Sequence, residues 1–247
     1  MEVFCNEMIH KIKETTSTND ELHKGSFSEG DIVWAERQTA GRGQRGHSWS
    51  SGEGLDLTFS MLLRPTFLEV AEQFWALRTT ALALCDTFAE YGIGTRIKWT
   101  NDIYAGDRKI TGVLIENMLE GGRLSRMIVG IGINVNSTEF DPSLPNPTSM
   151  TIERGEKFDR REVLERFVAN MKRRYEELRA GARDELAKEY DTRLYGLNER
   201  RVFALPDGSR FEAAIRGTEA SGRLVTELAD GRLKSFAFKE LEFVLKK

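Results

Sequence analysis

Residues 31–63 read DIVWAERQTAGRGQRGHSWSSGEGLDLTFSMLL: a strand, a glycine loop and a second strand. Asp31–Glu36 and Leu55–Leu63 are rich in β-branched and large apolar residues, the types that suit a pleated, half-buried backbone. Between them, Gly41-Arg42-Gly43-Gln44-Arg45-Gly46 matches GxGxxG letter for letter. In a dinucleotide fold those glycines open a helix whose N-terminus meets the pyrophosphate, with an acid about 20 residues further on. In this chain they run through His47-Ser48-Trp49-Ser50-Ser51-Gly52, a loop, and then into a strand. The context therefore fails the dinucleotide fold. Two arginines in the loop are also foreign to a motif that works through backbone amides. Guanidinium forks on a flexible loop suit a phosphate or a carboxylate. The plain alternative is a solvated turn, and three glycines with two arginines in six residues favour the ligand-binding loop.

Outward from this stretch, strand-like and helix-like pieces alternate. Thr66 and Glu69 have capping-box spacing after Pro65, which predicts a helix from there to about Tyr91, stopped by Gly92. Arg96–Thr100, Ile103–Ala105, Ile110–Glu116 and Arg126–Val135 read as strands, with turns at Gly106-Asp107 and Gly121-Gly122. After the proline-rich loop 142–147, Val163, Leu164, Phe167, Val168, Met171, Tyr175 and Leu178 share one helical face. From Arg201 onward, short β runs alternate with Pro206-Asp207-Gly208, Ser221-Gly222 and Asp230-Gly231, which is hairpin chemistry and points to a small barrel. The expected class is α/β of the α+β type, a mixed sheet with flanking helices. The expected division is 1–197 and 198–247.

The 247 residues carry 36 basic and 39 acidic side chains, a formal charge of −3, which argues against a nucleic-acid coat. Nothing resembles an 18-residue apolar run, and the first residues offer no signal-peptide core. Cys5 and Cys85 form no CxxC pair, so two buried thiols in a reducing cytoplasm are expected rather than a disulfide or zinc site.

Three further segments could carry chemistry. Lys98-Trp99-Thr100-Asn101-Asp102, followed by Asp107-Arg108-Lys109, could bring two lysines and an acid together around a tight hairpin. Taken alone it reads first as solvated turn residues. Thr15-Thr16-Ser17-Thr18-Asn19-Asp20 reads as a helix cap through Ser17 or Thr18, with hydroxyls and an amide to spare for a ligand carbonyl or ureido group. In Gly130-Ile131-Gly132-Ile133-Asn134-Val135, two glycines inside a strand mark either a bend or a close approach by a ligand or backbone.

In this order and spacing the segments resemble the biotin protein ligase family. The carriers are TSTN at 16–19, QTAGRGQRGHSW at 38–49, KWTND at 98–102, DRKITGVLIE at 107–116 and GIGINV at 130–135. The resemblance spans the chain, the last part looking like the family's small SH3-like β-barrel domain. It implies a catalytic domain like those of class II aminoacyl-tRNA synthetases and biotin ligases. It also implies a two-step ligation: biotin and MgATP give biotinyl-5′-adenylate and pyrophosphate, and a carrier-protein lysine then takes the biotin and releases AMP.

Carried over residue by residue, the resemblance places Lys109 beside the carboxylate and α-phosphate, Arg42 at the reacting group and Asp102 near the incoming lysine amine. Lys98 would support that network. Ser17, Thr18, Asn19, Gln38, Gly43 and Gln44 would hold biotin, with backbone at Gly112, Gly130 and Gly132. Arg42, Arg45, Trp49, Lys98, Asn101 and Asn134 would serve ATP or the adenylate, Asn134 reading adenine. Magnesium is expected to come with ATP, not to sit in a protein cluster. The glycine loop would be disordered when empty and close over the adenylate. Gln44 stands where the family often has arginine, which shifts that role toward Arg45, and Thr100 stands where it usually has proline, which loosens the turn but removes no functional group.

The implied partner is a biotin carboxyl carrier domain of acetyl-CoA carboxylase or a related carboxylase, in the cytoplasm, with the chain a monomer or homodimer. Only 14 residues precede Thr15, too few for a helix-turn-helix reader of roughly 60 residues, so no nucleic acid and no membrane are expected as partners. The rival of the same fold is a lipoate or octanoate ligase.

Overall fold

The computed structural model describes residues 8–46, 48–50, 52 and 54–244, apart from the Arg45 side chain. Cys5 lies outside those residues, and Cys85 is a buried free thiol. Seven strands form the larger sheet: β1 (Ile9–Thr15), β2 (Ile32–Gln38), β3 (Leu57–Leu63), β4 (Thr95–Lys98), β5 (Asp102–Ala105), β6 (Arg108–Glu120) and β7 (Arg123–Ile133). Their spatial order is β1-β2-β3-β7-β6-β5-β4. β1 and β2 are parallel, joined through helix α1 (Thr18–Lys24), and the other neighbours are antiparallel. Helices α2 (Phe74–Glu90), α3 (Met150–Arg154), α4 (Arg160–Arg179) and α5 (Arg183–Thr192) follow in the chain. A second, antiparallel sheet comprises β8 (Arg200–Ala204), β9 (Arg210–Thr218), β10 (Leu224–Leu228), β11 (Leu233–Phe236) and β12 (Glu242–Phe243), in the order β11-β10-β9-β8-β12. The mixed sheet with helices and the small C-terminal β unit agree with the expected class.

Strand pleating decides where the core and the site lie, because successive side chains leave a strand on opposite faces. On β3 the odd residues Leu57, Phe59, Met61 and Leu63 join the main core, with Leu82, Phe88, Phe167 and Met171 from α2 and α4. Of its even residues, Leu62 instead packs with Leu22 of α1, Val33 and Ile128. Thr58 and Ser60 point the same way and are buried but polar. β7 repeats the split: Met127, Val129, Ile131 and Ile133 belong to the main core, while Gly130 and Gly132 have the parity of Ile128.

Two local expectations change. The helix predicted from Thr66 begins at Phe74, and 66–73 form turns and a single 3₁₀ turn at Val70–Glu72. The reciprocal cap exists, but three residues later, between Glu69 and Glu72. Thr66 N–H and Leu68 N–H instead bond the Arg64 and Pro65 carbonyls, a turn set by the proline. β1 and α5 were not anticipated. β1 is an edge strand with exposed Lys11, Lys13 and Glu14 among its seven residues, and α5 buries only Leu186 and Tyr190, too narrow a stripe to read as periodic.

The small sheet is tied to the larger one at a dense seam. Arg78 of α2, 1% exposed, lies over the rings of Trp75 and Phe74 at 4.6 and 5.0 Å. Its Nη2 donates to Thr218 Oγ1 (2.9 Å) and to the Glu219 carbonyl (2.6 Å). Trp99 Nε1 donates to the Gly222 carbonyl at 2.9 Å. Gly222 has φ +88°, and a Cβ there would lie 2.3 Å from the Phe74 ring. Gly208, at φ +84°, faces open space. Gly222→Val is expected to lower stability by about 3 kcal/mol through clash plus strain, and Gly208→Val by about 1 kcal/mol through strain alone. Urea unfolding of the two variants measures both, and equal losses would remove the ring contact as the cause.

Candidate active site

The cleft lies on the sheet face opposite the large helices. Its floor comes from even positions of β3, β6 and β7: Thr58, then Gly112 and Leu114, then Gly130 and Gly132. Ser17, Thr18 and Asn19, at the start of α1, wall one end with Gln38 at the end of β2. Arg42, Gly43, Gln44 and Trp49 of the glycine loop cover it, and Asn101 and Lys109 close the other end. The two strand glycines resolve as close approaches. A Cβ at Gly130 would sit 2.4 Å from Asn19 Oδ1, and one at Gly132 2.0 Å from the Trp49 indole.

The polar end is organised around Thr18. Its backbone N–H donates to Gln38 Oε1 at 2.8 Å, and its Oγ1 lies 2.6 Å from Ser60 Oγ. Ser60 Oγ donates to Asn19 Oδ1 at 2.5 Å. Ser17 holds the N-cap position of α1 with extended backbone, but its side chain makes no capping bond, which leaves its hydroxyl for the cleft. The expected side-chain cap is therefore not made: Ser17 holds the N-cap position without bonding an amide, and the Thr18 hydroxyl turns to Ser60 and Gln38.

Among the described residues, the cations Arg42, Lys109 and Lys98 each face an acid. Arg42 makes a bidentate pair with Asp20 (3.1 and 2.7 Å) and reaches Glu116 Oε1 at 3.2 Å. The Arg42 hydrogen bonds hold the Asp20 carboxyl below its ordinary range, against the opposing effect of burial. For Glu116 burial is the largest influence and opposes ionisation. Hydrogen bonds from His23 and Asn19 and the Arg42 charge outweigh it, so this carboxyl too is held low. Lys109 Nζ lies 2.7 Å from Asp102 Oδ1, and Lys98 Nζ 3.7 Å from Asp102 Oδ2. Asp20, Ser60 and Glu116 were missed by the sequence reading. Ser60 looked like a strand residue, and Glu116 like the solvated end of one; only strand parity turns both toward the cleft.

Two expected nucleotide contacts sit back from the cleft. Lys98 lies against the rings of Tyr104 (5.5 Å) and Phe243 (5.1 Å) as well as Asp102. Asn134 donates to the Thr148 carbonyl at 2.8 Å, and Thr148 N–H in turn bonds the Lys109 carbonyl at 2.9 Å. Asn134 thus braces the segment that carries Lys109. Asn101 Nδ2 donates to the Val113 carbonyl at 2.7 Å, which fixes the turn before Asp102. The Arg45 assignment falls on a side chain outside the described residues. Among the described residues no three acidic, thiol or imidazole groups converge as a metal cluster, and no helix is long and apolar enough to cross a membrane.

The fold is of the biotin-ligase type: the structure superposes on the Aquifex aeolicus biotin protein ligase in complex with biotin and ATP, with a TM-score of 0.82 and 28% identity over 95% of this chain and 97% of that one. Residues 8–134 match the model of the biotin/lipoate A/B protein ligase family, and the chain belongs to that family. It is 31% identical over 231 residues to the bifunctional ligase/repressor BirA of Bacillus subtilis, covering 92% of this chain and 70% of that protein. It is 26% identical over 227 residues to the biotin–[acetyl-CoA-carboxylase] ligase of Mycobacterium tuberculosis, covering 88% and 82%.

The Arg42 pairs give a pH signature. Carboxyls held low in the folded state contribute stability that is complete above their unfolded values near pH 4 and is lost as pH falls through the folded ones. Arg42→Ala is therefore expected to cost less than about 1 kcal/mol at pH 7, since the pair is partly solvated, and to flatten the acid limb below about pH 4. Thermal unfolding across pH 2–7 checks this; identical acid limbs would exclude a resting pair in solution.

Proposed function

We propose that this chain is an ATP-dependent biotin protein ligase. The observation that carries the reading is the mixed lining of the cleft: hydroxyls and amides of Ser17, Thr18, Asn19 and Gln38 share it with Lys109 and with Arg42, which rests against Asp20 and Glu116 beside Asn19. A ureido ring needs donors and acceptors on both sides of a carbonyl, whereas a dithiolane ring offers neither, so the polar end favours biotin over lipoate. The relatives named for biotin ligation and the structure holding biotin and ATP support the same choice.

In the first step a biotin carboxylate oxygen attacks the α-phosphorus of ATP. A new P–O bond forms, the bond to the β-phosphate bridging oxygen breaks, and pyrophosphate leaves with the electron pair. Two anions must meet, so Arg42 and Lys109 neutralise charge where it develops once they leave Asp20 and Asp102. In the second step the amine of a carrier lysine attacks the acyl carbon and AMP departs; Asp102 orients that amine and accepts its proton. Asn101, Trp49, Arg45 and Asn134 serve the nucleotide, and Lys98 supports Asp102. The loop closes over the adenylate and keeps water from an anhydride that hydrolyses readily.

Magnesium fits as an ion carried by the triphosphate, which is how this small, strongly hydrated cation is commonly held. The acceptor is a biotin carboxyl carrier domain, and the chain divides at 197/198 into the ligase unit and the small β unit. Incubation with biotin, MgATP and a carrier domain, read by streptavidin blotting, tests the whole reaction. Lys109→Ala and Arg42→Gly are expected to slow biotin-dependent pyrophosphate release at least about a hundredfold with folding intact. Wild-type release by either would remove its assigned role, and tighter binding of lipoate than of biotin would overturn the substrate.

A further inference from the structure

Beneath the cleft a hydrogen-bond chain runs Glu116–Asn19–Ser60–Thr18, and its direction follows by elimination. Glu116 is an ionised carboxylate that takes bonds from Arg42 on Oε1 and from His23 on Oε2, so it can only accept. The Asn19 atom facing Oε2 at 3.0 Å is therefore the amide nitrogen. That turns the Asn19 carbonyl oxygen toward Ser60 Oγ, 2.5 Å away. A carbonyl only accepts, so the single Ser60 hydroxyl proton is committed to Asn19. Thr18 Oγ1, 2.6 Å from Ser60 Oγ, must then donate its own proton to Ser60. The competing acceptor, Gln38 Oε1, is farther at 3.1 Å and already takes the Thr18 backbone N–H. Thr18 Oγ1 thus meets the cleft with lone pairs alone. Ser60 is fully buried and Thr18 and Asn19 nearly so, which keeps water from rewriting the pattern.

We propose that Ser60 is a specificity-determining positioning residue: acting through Thr18, it makes the cleft accept a ligand N–H and refuse a ligand oxygen at that point. This rests on the ureido ligand argued above. Glu116 is the origin of the polarity, and because it also receives Arg42, one carboxylate sets both the ligand-head pattern and the resting place of the loop guanidinium.

The test compares equilibrium binding of biotin with that of its cyclic carbamates, in which one ring N–H or the other is replaced by oxygen. In the wild-type chain the isomer that turns oxygen to Thr18 sets lone pair against lone pair, and is expected to bind at least about a hundredfold more weakly than biotin. Ser60→Ala releases the Thr18 proton to move between Gln38 and the ligand. Biotin then weakens about tenfold while the carbamate holds or improves, so the ratio shrinks by about tenfold or more. A purely structural role would weaken both ligands alike. Ser60→Cys preserves the size with a poor donor and is expected to narrow the same ratio, which keeps the test usable if the alanine variant fails to fold. An unchanged ratio in folded variants overturns the assignment. A wild-type chain that does not bind biotin overturns the ligand reading, and the proposal with it.

Discussion

Alternate side chains of β3, β6 and β7 leave the sheet on opposite faces, and the sequence uses that parity to keep two chemistries apart. Large apolar residues at one parity bind the sheet to α2 and α4, while Thr58, Gly112, Gly130 and Gly132 at the other parity build the cleft floor, with Ser60 and Glu116 of the same parity in the bonds beneath it. A one-residue slip of β7 would put isoleucine where Asn19 and Trp49 now approach, and glycine where the core needs volume. The register that buries the core is therefore also the register that makes the cleft. Stability and site cannot be adjusted independently there.

The charges show a second economy. Arg42 faces Asp20 and Glu116, and Lys109 and Lys98 face Asp102, so guanidinium and ammonium groups are held by acids before any anion arrives. Unpaired cations side by side would repel and would attract stray anions; paired ones wait at low cost in a partly solvated setting. An entering carboxylate or phosphate exchanges one partner for another. Selectivity then rests on geometry as much as on net charge.

Much of the site was legible in the sequence because its signals are compositional breaks. Glycines inside a strand, arginines inside a glycine loop and hydroxyls before a helix each violate the local pattern, and each lines the cleft. Ser60, Asp20 and Glu116 break no pattern, since a serine in a strand and acids near a helix or strand end are ordinary residues. Their importance comes from which side chains lie across from them, a non-local fact. The fold was legible for the same reason, through the loop that runs into a strand instead of a helix. The helix before Phe74 was misplaced because Thr66 and Glu69 both satisfy capping spacing, and the turn after Pro65 decides between them.

The bond from Trp99 to the Gly222 carbonyl has a consequence for how such chains can be reassembled. The indole N–H belongs to the residue two before Asn101, and its acceptor belongs to a turn of the small sheet. Tyr104 and Tyr195 continue the seam into the ring stack of Phe243 and Phe203. Exchange of the small sheet for a foreign one would orphan a buried donor and uncover several rings, so it is not a free cassette. Strain arriving through that seam would reach Asn101 and Asp102 before it reached the hydroxyl pocket at the far end of the sheet, which leaves the grip on the ligand head insulated from events in the appended module.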